Sequence, residues 1–182
     1  MQTVLVLIGL LIAAGALAAI LWSIAYPKHR LWPPQRYTGL TPILIWIPTF
    51  TLFGILLVLG LMEWGRLAVP NWLRFGVGIP FILVGNVVVW SEVGHFGMAQ
   101  TAGARGALRT TGMYRYSRNP QYVADIAMVA GLIVLCASAS VAIVGSAVIS
   151  VLIAAPFAEE PWLTEQYGSA FETYKTRVRR FL

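Results

Sequence analysis

The sequence has few of the residues on which soluble, disulfide-linked and zinc-binding proteins depend. Only 11% of its 182 residues are charged, whereas soluble domains have about 25%. A single cysteine, Cys136, excludes an internal disulfide, and two histidines without a Cys/His cluster argue against a metal site. Because 58% of the residues are hydrophobic and the mean hydropathy is +0.75, we expect one integral membrane domain spanning residues 1–182.

Long apolar runs predict about five transmembrane helices. Thr3–Tyr26, Thr41–Met62 and Leu73–Trp90 each approach or exceed the roughly 20 residues that cross a bilayer core. The run Gln121–Ala155 is too long for one crossing and is expected to turn near Ala137–Ser140, which makes a helical hairpin. No lysine or arginine precedes the first run, so we expect a membrane span there and not a cleaved signal peptide.

The positions of the basic residues predict an orientation. If the N-terminus lies outside, eleven of the thirteen Lys and Arg residues fall on the inner side, and only Arg66 and Arg74 lie outside. The positive-inside rule therefore places the C-terminus in the cytoplasm. Contact with anionic lipid headgroups accounts for the net charge of +6, and no nucleic-acid partner is expected.

The last segment, Pro161–Leu182, differs from the spans. Its apolar residues recur at three- and four-residue steps, with charged residues largely between them. This pattern predicts an amphipathic helix that lies at the cytoplasmic membrane surface. The predicted fold class is therefore all-α, a polytopic membrane protein with a C-terminal helical hairpin and an interfacial helix.

Specific polar groups gather in two stretches, Leu108–Tyr122 and Glu159–Leu163. A hairpin of two crossings returns the chain to the same membrane face, so the two stretches can build one site. Each also has a purely structural interpretation. Asn119 before Pro120 is typical of a helix start, and paired glutamates favour the positive end of a helix dipole.

The free-energy cost of an unpaired charge beside an apolar span favours a functional site over these structural interpretations. Two carboxylates, Glu159 and Glu160, lie beside the end of an apolar span, where a charge is costly unless it is paired or solvated. Arg118 is predicted on the same membrane face. We therefore expect the two stretches to meet.

The order of these motifs resembles a known family. Thr110–Tyr114, then Arg118–Tyr122, then a hydrophobic hairpin and Glu159-Glu160-x-x-Leu163 are similar to the isoprenylcysteine carboxyl methyltransferase and phospholipid methyltransferase superfamily. The resemblance covers about residues 84–182. Asn119 stands where the isoprenylcysteine enzymes have histidine, and asparagine is common in the phospholipid branch.

The resemblance implies an integral membrane methyltransferase that uses S-adenosylmethionine, releases S-adenosylhomocysteine and methylates a lipid-like or small hydrophobic acceptor. No metal is implied. It also implies a cytoplasmic cofactor pocket lined by two groups of residues. These are Gly112, Tyr114, Arg118, Asn119, Pro120 and Tyr122 from one side, and Glu159, Glu160 and Leu163 from the other.

Three residues are candidates for a catalytic role: Arg118, Glu160 and Asp125. Arg118 suits the carboxylate of the methyl donor, and a glutamate suits its ammonium or ribose hydroxyls. Asp125 lies inside the fourth span, where an unpaired charge is expensive. It is either a general base or anchor for a cationic acceptor, or a structural partner of Arg118 or Arg115.

Glu92 and His95 are a second pair of polar residues in an apolar region. They are three residues apart on a helix, which predicts a local hydrogen-bonded pair.

Two functions other than methyl transfer remain open. The same helices are also compatible with an NADPH-dependent membrane reductase of the sterol-reductase type. A non-catalytic scaffold, with Arg118 and Glu160 as a structural ion pair, is the third possibility.

Overall fold

The structure is a computed structural model that describes all 182 residues, and every regular element in it is helical. The six helices are α1 Gln2–Ala25, α2 Thr41–Met62, α3 Asn71–Thr101, α4 Pro120–Cys136, α5 Ala139–Tyr167 and α6 Ser169–Arg177. Helix α3 contains a π-helical stretch, Arg74–Gly78, and is kinked at Gly97.

Four of these helices, α1, α2, α3 and α5, are long and apolar enough to cross a membrane. Helix α4 is also apolar but has only 17 residues, which is the short end of the range for a membrane span. The turn between α4 and α5 lies at Ala137 and Ser138, as predicted. Ala137 takes a left-handed conformation, and the Ser138 hydroxyl accepts a hydrogen bond from the Val141 amide to begin α5. The all-helical polytopic membrane fold is thus confirmed.

Two predicted boundaries are wrong. The third span was expected to end at Trp90, but α3 runs on to Thr101, past the kink at Gly97 where the φ of 75° interrupts the helical geometry. The predicted helix Pro161–Leu182 is divided. Its first turns belong to α5, which passes through Pro161, and the break falls at Gly168, where a positive φ of 54° suits glycine. Residues 178–182 are not helical.

Close helix packing fixes the bundle around α4. Gly85 of α3 faces the α4 backbone, and a Cβ there would lie 2.6 Å from the carbonyl oxygen of Ala124. The buried core is centred on Leu56 and Leu59 of α2, Val129 of α4 and Val144 of α5. The close contact between α3 and α4 at Gly85 holds the start of α4 near the segment that follows α3.

A carboxylate joins three elements at the end of the bundle that holds the N-terminus. Glu63, which follows α2, is 6% exposed and accepts hydrogen bonds from the Ser138 hydroxyl at 2.6 Å and the Ser140 amide at 3.1 Å. Gln2 of α1 donates to the same carboxylate, and Arg66 lies 3.2 Å from it. The Ser138 hydrogen bond is the main cause that lowers the Glu63 pKa from 4.5 to about 2, against the opposing effect of burial.

Replacing Glu63 by glutamine is expected to destabilise the protein in a pH-dependent way. Because the folded-state pKa is lowered, the ionised carboxylate stabilises the fold above about pH 4.5, and this contribution is lost as the pH falls toward 2. The melting temperature of Glu63→Gln in detergent should lie below wild type at pH 7, and the difference should shrink at pH 3. A difference that stays constant over this range would contradict the assignment. Glu165→Gln, at an exposed side chain, is the control.

Candidate active site

A cleft lies at the opposite end of the bundle, between the end of α3, the segment that leads into α4, the end of α5, and α6. Its open space, including the mouth, is about 760 Å³. Its walls combine aromatic, aliphatic and polar side chains. The aromatic side chains are Phe96, Tyr114, Tyr122, Trp162, Tyr167, Phe171 and Tyr174.

The structure brings the two polar stretches of the sequence to this one cleft. Four of the predicted residues that line it come from the first stretch and two from the second. They are Tyr114, Arg118, Asn119 and Tyr122, then Glu159 and Leu163.

Glu159 is held by two neutral donors and forms no ion pair. Its Oε1 accepts a hydrogen bond from the indole of Trp32 at 2.8 Å and another from the hydroxyl of Tyr122. Its Oε2 accepts no hydrogen bond from the protein. Because both donors share one oxygen, the other oxygen is left to accept from a molecule in the cleft.

Glu160, the next residue, has a different environment and does not line the cleft. It is 12% exposed and bridges two arginines: Arg118 Nη2 at 2.7 Å, and Arg180 at 2.9 Å from Nε and 2.6 Å from Nη2. These are charge-assisted hydrogen bonds, and the pair with Arg180 is two-pronged. Glu160 therefore joins the end of α5 to the last residues of the chain.

Arg118 lines the cleft, but its terminal nitrogens are engaged within the protein. In addition to the bond to Glu160, Nη1 donates to the carbonyl oxygens of Lys175 at 3.2 Å and Val178 at 3.1 Å. Its buried Nε has no partner. Only the Nε edge of this guanidinium is thus left without protein partners.

Asn119 and Pro120 begin α4, yet the Asn119 side chain does not cap the helix. Its Nδ2 donates instead to the carbonyl oxygen of Arg180 at 3.0 Å. Gly112, with φ of 65°, begins the short 3₁₀ turn that places Tyr114 in the cleft wall. Gly112 and Pro120 do not line the cleft themselves.

Asp125 lies on α4, one turn past Tyr122, and outside the cleft lining. It is partly buried and makes no hydrogen bond and no ion pair. The alternative structural pair with Arg118 or Arg115 is therefore wrong. Arg118 is engaged by Glu160 and by the carbonyls near the chain end instead.

The predicted pair of Glu92 and His95 is also wrong. His95 Nδ1 lies 2.6 Å from the carbonyl oxygen of Ser91, and Glu92, which is 2% exposed, pairs with Arg109 Nη1 at 3.1 Å. An arginine side chain is always charged and suits a buried carboxylate, so the distant Arg109 takes the place of the local partner.

Arg109 adds a positive charge to the cleft wall that the motif pattern did not single out. Its guanidinium lies 5.4 Å from the ring centre of Phe96 and 5.9 Å from that of Tyr114. Burial is the main cause that raises the Tyr114 pKa well above its ordinary value, so this phenol stays neutral. Tyr174 donates to the Tyr114 carbonyl oxygen at 2.6 Å, and burial raises its pKa to about 12.

Two further residues, Trp32 and Arg180, hold the glutamates and were not among the predicted site residues. Trp32 precedes Glu159 by 127 positions, and Arg180 follows Glu160 by 20. No spacing rule connects residues so far apart. The only sequence signals were an aromatic residue in a loop and one arginine among several basic neighbours.

Comparison with known proteins assigns the family. The phospholipid methyltransferase family model matches residues 73–170, which is more than half of the chain and includes both polar stretches of the cleft. No curated protein and no solved structure matches the chain. The resemblance found in the motifs is confirmed. The chain belongs to the phospholipid methyltransferase family and is a membrane methyltransferase.

Proposed function

We propose that the cleft binds S-adenosylmethionine and that the protein transfers its methyl group to a hydrophobic or lipid-like acceptor. The observation that carries the proposal is Glu159. It is a carboxylate in an aromatic cleft, held by two neutral donors, with one oxygen unused and no cation beside it. Such a group is suited to a ligand that brings its own positive charge or hydroxyl donors.

The chemistry of the cleft fits the parts of this cofactor. Glu159 suits the ammonium or the ribose hydroxyls, and the aromatic walls suit the adenine plane and the cationic sulfur. Arg109 and the unpartnered Nε of Arg118 suit the carboxylate. When bound, S-adenosylmethionine supplies a methyl group that is already activated for displacement.

The protein's own contribution is then to position the reactants and exclude water. A bound cofactor and acceptor would displace water from the apolar and aromatic parts of the walls, and the network around Glu159 would fix the orientation of what binds there. No covalent nucleophile is needed. If the acceptor is an amine, a proton must leave it. Asp125 lies outside the cleft lining but only one turn of α4 from Tyr122, which lines it, and we propose that Asp125 accepts this proton.

We further propose that the cleft faces the cytoplasm and that the N-terminus lies outside. The basis is the basic rim: Arg109, Arg118 and Arg180 lie around the cleft end of the bundle, whereas Arg66 and Arg74 lie near the other end. A C-terminal fusion to a reporter that is active only in the cytoplasm tests this orientation. An inactive fusion would contradict it.

A titration of the purified protein in detergent separates the proposed function from its rivals. We expect S-adenosylhomocysteine to bind and NADPH not to bind, measured by calorimetry. Binding of NADPH alone would instead support a reductase, and binding of neither would support a scaffold. The ion pair of Arg118 and Glu160 is present, as a scaffold requires, so the pair alone does not discriminate.

The same preparation identifies the acceptor. Membrane extracts incubated with the protein and an isotopically labelled methyl donor should yield a labelled lipid or small hydrophobic molecule in mass spectrometry. If that acceptor is an amine, Asp125→Asn should slow its labelling strongly. Full labelling by Asp125→Asn would end the proposed role as a base.

A further inference from the structure

Trp32 lies outside the segment that matches the family, in the loop between α1 and α2, yet it reaches the cleft glutamate. The loop is fastened to α1 by Ser23, which is completely buried. The Ser23 hydroxyl accepts hydrogen bonds from the amides of Leu31 at 2.9 Å and Trp32 at 3.0 Å. The backbone of Trp32 is therefore fixed relative to the bundle.

The same loop also contacts the segment after α3. A Cβ on Gly103 would lie 2.7 Å from Cδ of Pro34, and Gly103 has a φ of 91° that suits glycine. The Trp32 ring itself packs against the small apolar cluster of Ile20, Ala155 and Ala158. The loop thus links α1, the end of α3 and the cleft end of α5.

The indole N–H of Trp32 donates a hydrogen bond to Glu159 Oε1 at 2.8 Å, so the loop contacts the cleft through this residue. An indole nitrogen only donates hydrogen bonds, whereas the Tyr122 hydroxyl on the same oxygen both donates and accepts. The terminal torsion of a glutamate is broad, so one donor leaves the carboxylate free to exchange its two oxygens. Two donors on a single oxygen hold the other in one direction.

We propose that Trp32 is a positioning residue for the methyl donor, because its indole holds Glu159 so that Oε2 is presented to the cleft. The inference rests on the proposed function. Trp32 does not line the cleft, and it acts through Glu159. It follows that the family-matched segment alone does not complete the site, since the N-terminal loop supplies one of the two donors to Glu159.

Two substitutions separate the hydrogen bond from the packing of the ring. Trp32→Phe keeps an aromatic ring and removes the donor. Trp32→His keeps a ring nitrogen near the same place and removes most of the apolar surface. We expect Trp32→Phe to weaken S-adenosylhomocysteine binding about tenfold, because Glu159 is no longer held in one orientation. Its melting temperature should fall less than that of Trp32→His, because the ring still packs against the apolar cluster. Trp32→His should show the reverse, a lower melting temperature and a smaller loss of affinity.

The matched control is Trp22→Phe. Trp22 also donates its indole N–H to the same loop, to the His29 carbonyl oxygen at 3.1 Å, but it is exposed and remote from Glu159. This variant should bind S-adenosylhomocysteine as wild type does. If wild type binds and Trp32→Phe binds equally well, or if both Trp32 variants lose only thermal stability, the positioning role is overturned and the proposed function stands. If wild type does not bind, both are overturned.

Discussion

Glu159→Gln is expected to bind S-adenosylhomocysteine about 100-fold more weakly than wild type, because a charge-assisted hydrogen bond from the ligand's ammonium or ribose becomes a neutral one. The amide also offers a donor where the ligand needs an acceptor. The glutamine keeps the size of the side chain and an oxygen for Trp32 and Tyr122. The melting temperature without ligand should therefore change little. Calorimetry and thermal melting on the same preparation measure both quantities.

The matched control for this prediction is Glu165→Gln on the same helix. The Glu165 side chain is 74% exposed and pairs only loosely with Arg30, at 3.5 Å. It should bind S-adenosylhomocysteine with wild-type affinity. Equal affinities for wild type and Glu159→Gln would show that Glu159 does not contact the cofactor.

Glu160→Ala is expected to lower the thermal stability strongly, whereas Glu159→Gln should lower only the affinity for S-adenosylhomocysteine. Removing this carboxylate leaves the guanidinium groups of Arg118 and Arg180 close together without their shared anion. Breaking a buried ion pair by removing one partner costs about 3 kcal/mol. For a chain of this length, that corresponds to a melting temperature lower by roughly 6–12 °C. Thermal melting in detergent, followed by circular dichroism, measures it.

Glu172→Ala provides the comparison for this effect. Glu172 also pairs with a cation, Lys175 at 2.9 Å, but its side chain is 51% exposed and the pair is screened by water. This variant should melt as wild type does. If Glu160→Ala and Glu172→Ala melt at the same temperature, Glu160 does not hold the end of the chain in place.

The contrast between Glu159 and Glu160 was not visible in the sequence. Adjacent residues on a helix point about 100° apart, so two neighbouring glutamates face different surroundings. One faces the cleft and neutral donors, and the other faces Arg118 and Arg180. Which glutamate faces which side depends on the rotation of α5, and that is set by packing against α1 and α4.

The membrane architecture was predictable because its physical requirement is local. A span needs about 20 apolar residues in a row, and the runs that gave α1 and α2 satisfy this almost residue for residue. The turn at Ala137 and Ser138 was predictable for the same reason, since the 35-residue run of low charge is too long for one crossing. The break at Gly168 was missed because the amphipathic pattern that begins at Pro161 continues across it. Pro161 is tolerated inside the packed helix α5, and the positive φ of Gly168 ends that helix.

The residues around the cleft were only partly predictable because their partners are distant in sequence. The motif order pointed to Tyr114, Tyr122 and Glu159, which do line the cleft. Neither Trp32 at Glu159 nor Arg109 at Glu92 follows from any periodicity, because both contacts depend on how the loops fold against the helices. The positions that sequence reasoning missed are those that hold the acidic groups in place.

The most direct measurement of the central proposal is photolabelling with radioactive S-adenosylmethionine followed by peptide mapping. We expect the label to fall within residues 96–122 or 159–174, which form the cleft. Excess S-adenosylhomocysteine should prevent the labelling. Label confined to α2, or label that S-adenosylhomocysteine does not displace, would show that the cofactor does not bind in this cleft.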